Sequence, residues 1–149
     1  SSELRLGLIG AEPSFYSTRC KTSLIQDRLV VFPKVPFEEL PKYLAAADIL
    51  VIPQRDTTDT QGQSPAKLFD AMAMAKPIIT TPISDIPEVI GEHGYLIEPG
   101  NSDQLAETIK NIFANPKEAL VKGQNARKRC QEFYDLKVMA KNLLGKLKN

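Results

Sequence analysis

Histidine is nearly missing from this chain: His93 is the only one in 149 residues, placed in the turn-like run Glu92-His93-Gly94. A zinc site or a Ser/His/Asp triad needs more imidazole than that, so classical hydrolase chemistry is disfavoured and His93 reads as an exposed loop residue. Cysteine is scarce as well. Cys20 and Cys130 lie far apart and match no metal-ligand or redox spacing, which suggests a reducing compartment. No apolar run approaches the roughly 18 residues of a membrane-spanning helix. The opening Ser1-Ser2-Glu3-Leu4-Arg5 has no signal-peptide shape, and the expected location is cytoplasmic. An excess of charge is also lacking. Nineteen basic and eighteen acidic residues give a formal charge of +1 and a pI near 7.7, which argues against a dedicated nucleic-acid binder.

What remains is an ordinary globular composition, 42% apolar. A chain of this size buries roughly 68–70% of its unfolded surface, enough for one real core, so residues 1–149 are expected to form a single domain. Its charge is uneven. From Pro116 onward nine Lys/Arg stand against three acids, Glu118, Glu132 and Asp135. A solvated helical face accounts for that excess, and docking to an anionic membrane surface or an acidic partner is the sharper alternative.

Short β-rich apolar runs alternate with helical patterns. Strands are expected at Leu4–Gly10, Leu29–Phe32, Asp48–Pro53, Pro77–Thr81 and Tyr95–Glu98. The third is apolar on both faces, as in parallel sheets covered on each side. Helical patterns fall at Thr22–Gln26, weakly, and at Phe37–Ala47, whose regular part should start near Leu40 because of Pro41. Further helices are expected at Ile86–Ile90, Asp103–Ala114, Lys117–Phe133 and Leu136–Leu147. The last carries an apolar stripe from Leu136 through Met139, Leu143 and Leu144 to Leu147, which needs a partner. The alternation predicts an α/β fold: a Rossmann-like, doubly wound parallel sheet with helices on both faces and a helical C-terminus.

The richest stretch is Ser64-Pro65-Ala66-Lys67-Leu68-Phe69-Asp70-Ala71-Met72-Ala73. It follows the polar loop Gln54–Gln63, at the carboxyl end of the third strand, where open α/β sheets bind ligands. Ser64 suits an N-cap and Pro65 a first helical position. Lys67 in the first turn opposes the helix dipole at a cost of about 0.3 to 1 kcal/mol, which makes sense if an anion sits there. Asp70 follows one turn on and offers an acceptor for a hydroxyl, so the pair meets the two needs of a nucleotide carrying a ribose. The plain competitor is a surface Lys67–Asp70 pair worth about 0.2–0.5 kcal/mol. Met72 and Phe69 read as core, and Glu88 as a helix N-terminal acid.

The order of motifs Asp27–Phe32, Val35–Leu44, Ala47–Pro53, Ser64–Ala73, Lys76–Ile79, Ile86–Ile90, Gly94–Ile97 and Pro99-Gly100 resembles the C-terminal half of a group 1 glycosyltransferase. The resemblance covers most of the chain and implies one half of a GT-B fold. In that arrangement the C-terminal Rossmann-like domain binds a nucleoside diphosphate sugar and an N-terminal domain, absent from these residues, mainly the acceptor. It further implies retaining, metal-independent transfer with no cofactor beyond the nucleotide-sugar substrate, in the setting of polysaccharide biosynthesis. The chain alone is then expected to be inactive. Residue by residue, Ser64, Pro65, Ala66 and Lys67 fall where the family holds the diphosphate, and Asp70 where it holds the ribose. Gly10, Val35 and Pro36 fall near the nucleotide pocket, where close backbone approach needs small or rigid residues.

Departures matter too. Family members commonly carry a glutamate eight residues before the Asp70 position, near the donor sugar; here that residue is Gly62, and Asp59 or Gln61 could replace it only if the loop shifts. No catalytic residue is therefore assigned. A phosphate-binding Arg and Lys usual ahead of Leu4 are also missing, and Ala75 stands where the family usually has glycine. Two other classes of function remain open: a non-catalytic sugar-nucleotide or partner-binding domain, and a sugar-nucleotide epimerase of the same architecture. A flavodoxin-like or response-regulator domain would need an acidic pair at the end of the first strand, which Leu8-Ile9-Gly10-Ala11 lacks.

Overall fold

A computed structural model describes residues 4–12 and 26–147. Cys20 and all but the last residue of the weak helical pattern Thr22–Gln26 lie outside the described residues. The chain divides into two compact units, Ser1–Tyr43 and Leu44–Asn149.

In the first unit, strands β1 (Leu6–Ile9) and β2 (Leu29–Phe32) pair in parallel, with Leu6 opposite Leu29 and Ile9 opposite Phe32. Beyond the pair, the Gly10 N–H donates to the Phe32 carbonyl at 3.1 Å. Gly10 adopts φ 77° there, a left-handed conformation that suits glycine. The Phe32 and Tyr43 rings meet edge to face at 5.0 Å. Helix α1 (Leu40–Ala45) follows a 3-10 turn at Phe37–Glu39, so regular helix begins at Leu40, as Pro41 at the second helical position permits.

The second unit is built on three parallel strands in the order β3 (Leu50–Ile52), β4 (Ile78–Thr80), β5 (Tyr95–Leu96). Val51 pairs with Ile79, and Ile79 with Tyr95. Because successive side chains of a strand point to opposite faces, Ile78 and Ile79 enter two different cores. Ile78 joins Leu68, Ala71 and Met72 of α2 (Ala66–Ala73), Ile86, Val89 and Ile90 of α3 (Ile86–Ile90), and Ala126 of α5 (Pro116–Phe133). Ile79 joins Ile97, Ile112 of α4 (Ser102–Ala114) and Ala119 of α5. Helices therefore cover both faces, as expected, and each fully buried large side chain contributes about 1.5–3 kcal/mol.

The strand buried at every residue is β4 rather than β3. As an outer strand of the three, β3 leaves Val51 exposed, so its run of apolar residues overstated how fully it is covered.

Helix α5 is fixed by its basic residues and its smallest one. Arg129 donates from Nε to the Val89 carbonyl at 2.9 Å and from an Nη to the Glu88 carbonyl at 2.8 Å, which satisfies the end of α3. Lys122 Nζ donates to the Glu92 carbonyl at 3.1 Å. Part of the C-terminal basic excess is thus structural. Gly123 faces the turn after α2: a Cβ there would lie 2.5 Å from the Ala75 carbonyl oxygen, so only glycine allows this approach. The last helix, α6 (Leu136–Leu147), buries no residue. Among the described residues, no helix is long and apolar enough to cross a membrane. His93 is half-buried in a 3-10 turn, Gly91–His93, which corrects its reading as an exposed loop residue.

Candidate functional site

The carboxyl ends of β3 and β4 are laced by two buried hydroxyls. Thr80 Oγ1 donates to the Ile52 carbonyl at 3.0 Å. Thr81 Oγ1 accepts from the Gln54 N–H at 3.0 Å and donates to the Gln54 carbonyl at 2.9 Å. The parallel ladder is thereby extended past its last paired residues, and the loop leaving β3 starts from a fixed point. A strand pattern gives no hint of this, because both threonines look like ordinary strand residues.

The loop itself is held from within. The Thr60 side chain accepts from the Thr57 N–H at 3.0 Å, the Gln61 N–H donates to the Thr57 carbonyl at 3.1 Å, and the Gln61 side-chain amide donates to Asp56 at 2.8 Å. These contacts keep Gln61 engaged on its own loop. Asp59 and Gly62 are exposed, and Gly62 has a positive φ of 155°. No carboxylate stands at the Gly62 position.

The start of α2 departs from its expected capping. The helix begins at Ala66 with Pro65 as N-cap and no side-chain cap bond, whereas Ser64 was expected to cap it with Pro65 inside. Instead the Ser64 hydroxyl donates to Asp85 Oδ2 at 2.6 Å, 21 residues away. The hydroxyl proton goes to the carboxylate, and the side chain makes no cap bond to α2. The Leu68 N–H reaches the Pro65 carbonyl at 2.8 Å; among the described residues the Ala66 and Lys67 N–H groups donate to nothing. Lys67 is exposed, and among the described residues it forms no ion pair with Asp70. The surface-pair explanation of these two residues is therefore not realised.

Asp70 is half-buried, and burial pushes its carboxyl above the usual carboxylate range. Its folded-state pKa thus exceeds the unfolded value of 3.8, so the folded state holds the proton more tightly. Asp70's contribution to stability is full below 3.8 and declines as pH rises through the folded pKa. On α5, burial, Asp135 and Asp70 together push the Cys130 thiol up, so the Asp70 carboxylate lies within electrostatic reach of Cys130. The structure brings together Ser64, Pro65, Ala66, Lys67 and Asp70, and adds Asp85, which no local signal marks as part of this group. Gly10, Val35 and Pro36 belong to the first unit, where Gly10 follows β1 and Val35-Pro36 follow β2, all at the carboxyl end of that parallel pair. Among the described residues no group of His, Cys, Asp or Glu is arranged to hold a metal ion.

Residues 1–115 match the family described as glycosyl transferases group 1. Among curated proteins, a teichuronic acid biosynthesis glycosyltransferase of Bacillus subtilis, TuaC, is 32% identical over 90 residues, 60% of this chain and 22% of that protein. An MMP α-(1→4)-mannosyltransferase of Mycolicibacterium hassiacum is 32% identical over 107 residues, 69% of this chain and 25% of that protein. The chain thus spans about a quarter of the length of these relatives. In fold it is similar to Anabaena HepE solved with UDP-glucose, with a TM-score of 0.82 at 16% identity, covering 99% of this chain and 42% of that one. The parallel sheets with flanking helices and helical C-terminus match those of GT-B glycosyltransferases. By its sequence match over residues 1–115 and by its fold, the chain belongs to the group 1 glycosyltransferase family.

Proposed function

We propose that this chain is the donor-binding part of a GT-B glycosyltransferase and holds a nucleoside diphosphate sugar at the start of α2. The observation that carries this reading is the uncapped helix start, where the Ala66 and Lys67 N–H groups stand open beside the exposed Lys67. Two aligned N–H groups, the positive end of the helix and an ammonium suit a diphosphate, and Asp70 suits a ribose hydroxyl. HepE crystallised with UDP and with UDP-glucose lends support to this class of ligand.

When the bond from the anomeric carbon to the diphosphate breaks, the nucleoside diphosphate leaves with the electron pair. The open N–H groups and Lys67 stabilise the charge that develops on it. Transfer is retaining and needs neither a metal nor a cofactor. The acceptor is held by residues outside this chain, so the domain does not turn over alone. A second reading, a binding domain without catalysis, is favoured by one observation: no carboxylate stands at Gly62, and Gln61 is occupied by Asp56. The basic, apolar-faced α6 further suits contact with an anionic membrane surface.

Titration of the 149-residue chain with UDP and GDP, each with and without sugar, followed by amide chemical shifts, tests the donor site. Saturable binding with shifts centred on residues 64–70, and at least a tenfold loss in Lys67→Ala, is expected. Absence of saturable binding overturns the reading.

A further inference from the structure

Asp85 lies outside every motif that points to the site, yet among the described residues it makes the long-range side-chain hydrogen bond at the start of α2, its Oδ2 accepting from Ser64 at 2.6 Å. Holding it there is costly. Its other oxygen, Oδ1, is buried and has no hydrogen-bond partner among the described residues, and a buried acceptor left unpaired is destabilising. The residue before it, Ser84, is held at φ 55°, where side chains other than glycine are strained. Nor does Asp85 serve its own helix, since it stands at the N-cap of α3 without making a side-chain cap bond. Among the described residues, the group its carboxylate satisfies is the Ser64 hydroxyl.

Ser64 has an alternative use. Were Pro65 to turn from its extended conformation (φ −70°, ψ 116°) into the first helical position, the Ser64 hydroxyl oxygen would cap α2, accepting from the Ala66 or Lys67 N–H. Those are the groups assigned above to the diphosphate. A Ser64 that capped the helix would compete with the ligand for the same donors.

Building on the donor-site reading above, we propose that Asp85 is a positioning residue for that site: by drawing the Ser64 hydroxyl away from α2, it keeps the Ala66 and Lys67 N–H groups open for the diphosphate of the donor. Ser64 then contributes its backbone and not its hydroxyl. The carboxylate acts by its hydrogen bond and not by its charge, which by itself disfavours an anion nearby.

The test combines two readouts on the 149-residue chain: amide hydrogen exchange without ligand, and UDP affinity. In Asp85→Ala, Ser64 is released to cap the helix. The Ala66 or Lys67 amide gains protection, and UDP affinity falls about fivefold, the factor corresponding to one typical N-cap bond. Asp85→Asn retains an acceptor for Ser64, so its amides stay open and its affinity stays within about twofold of the parent. If Asp85→Ala does not fold, the Asn variant still decides: slower exchange or a fivefold loss there overturns the proposal. Adding Ser64→Ala to Asp85→Ala removes the competing cap and recovers most of the lost affinity, whereas a merely structural role for Asp85 predicts no recovery. Unchanged amide exchange in Asp85→Ala, UDP binding as tight as or tighter than the parent's, or a double variant as weak as Asp85→Ala, each overturns the proposal. A parent chain that fails to bind UDP overturns the donor-site reading, and with it the purpose assigned to Asp85, even where the exchange data show Ser64 held off the helix.

Discussion

Helices α2 and α6 carry similar sequence signals and meet opposite fates. Both have apolar residues at helical spacing, and both place lysine near that stripe. In α2, Leu68 and Met72 are wholly inaccessible to solvent. In α6 nothing is buried, and Leu136 and Leu147 are 82% and 73% exposed. The difference lies in what each helix meets. Helix α2 sits between β4, α3 and α5, and its stripe is matched by Ile78, Ile86, Ile90 and Ala126. Periodicity states which face of a helix is apolar; it does not state what covers that face.

The comparison is broken most severely at Leu68. Replacing it with alanine opens a cavity where α2, α3 and α5 meet, and a loss of about 2–5 kcal/mol in unfolding free energy is expected, measured by urea denaturation. A loss under 1 kcal/mol would mean the α2 stripe is less committed than its burial indicates. Next comes Gly123, where the added methyl of Gly123→Ala meets the Ala75 backbone and not a flexible side chain. Helix α5 must shift, at a cost of about 1–3 kcal/mol, and thermal unfolding of the variant would show it.

The sequence was most legible where local signals are self-sufficient. The bounds of β2, α3 and α6 coincide with expectation, because the Leu29–Phe32 run stopped by Pro33, the Ile86–Ile90 run and the Leu136–Leu147 stripe are all local patterns. Lys67 and Asp70 were legible as a pair of unlike charges on one helix. What local reading could not supply was the competition for Ser64. Ser-Pro ahead of a helix signals a cap, but a carboxylate 21 residues later captures the hydroxyl, and no short window of sequence contains both partners. The same holds for Thr81, whose hydroxyl serves the Gln54 backbone 27 residues away. His93 was misjudged for a related reason, since its turn packs against α5 from a distant part of the chain.

A smaller effect, of opposite sign, concerns the turn that joins α2 to β4. Ala75 occupies φ 55°, a conformation that costs an alanine about 1–2 kcal/mol. Ala75→Gly removes that strain and gives back about 0.4–1 kcal/mol through the looser unfolded chain. The net expectation is a stabilisation of about 0 to 1.6 kcal/mol, visible as a higher urea midpoint. Glycine is also the residue usual at this position in the family the chain resembles, so the substitution asks whether Ala75 is a tolerated strain. Destabilisation would show that the alanine methyl makes a contact worth more than the strain.

The smallest effect is expected on α6. Leu144 is 58% exposed, so Leu144→Ser should change unfolding free energy by no more than about 0.5 kcal/mol, as for surface positions generally. Set beside Leu68→Ala, it asks whether two leucines of similar helical setting differ only in cover. The same variant separates stability from surface contact. Three lysines, Lys137, Lys141 and Lys146, and no acid accompany the apolar stripe of α6, the combination that lets an amphipathic helix lie on an anionic bilayer. Sedimentation with phosphatidylglycerol vesicles, against phosphatidylcholine vesicles as the neutral control, is expected to pellet the parent chain and to pellet Leu144→Ser less. Equal pelleting of both proteins, or none with either lipid, would count against a membrane role for this face. A loss of more than 1 kcal/mol in solution would instead mean that Leu144 is covered when the chain is free.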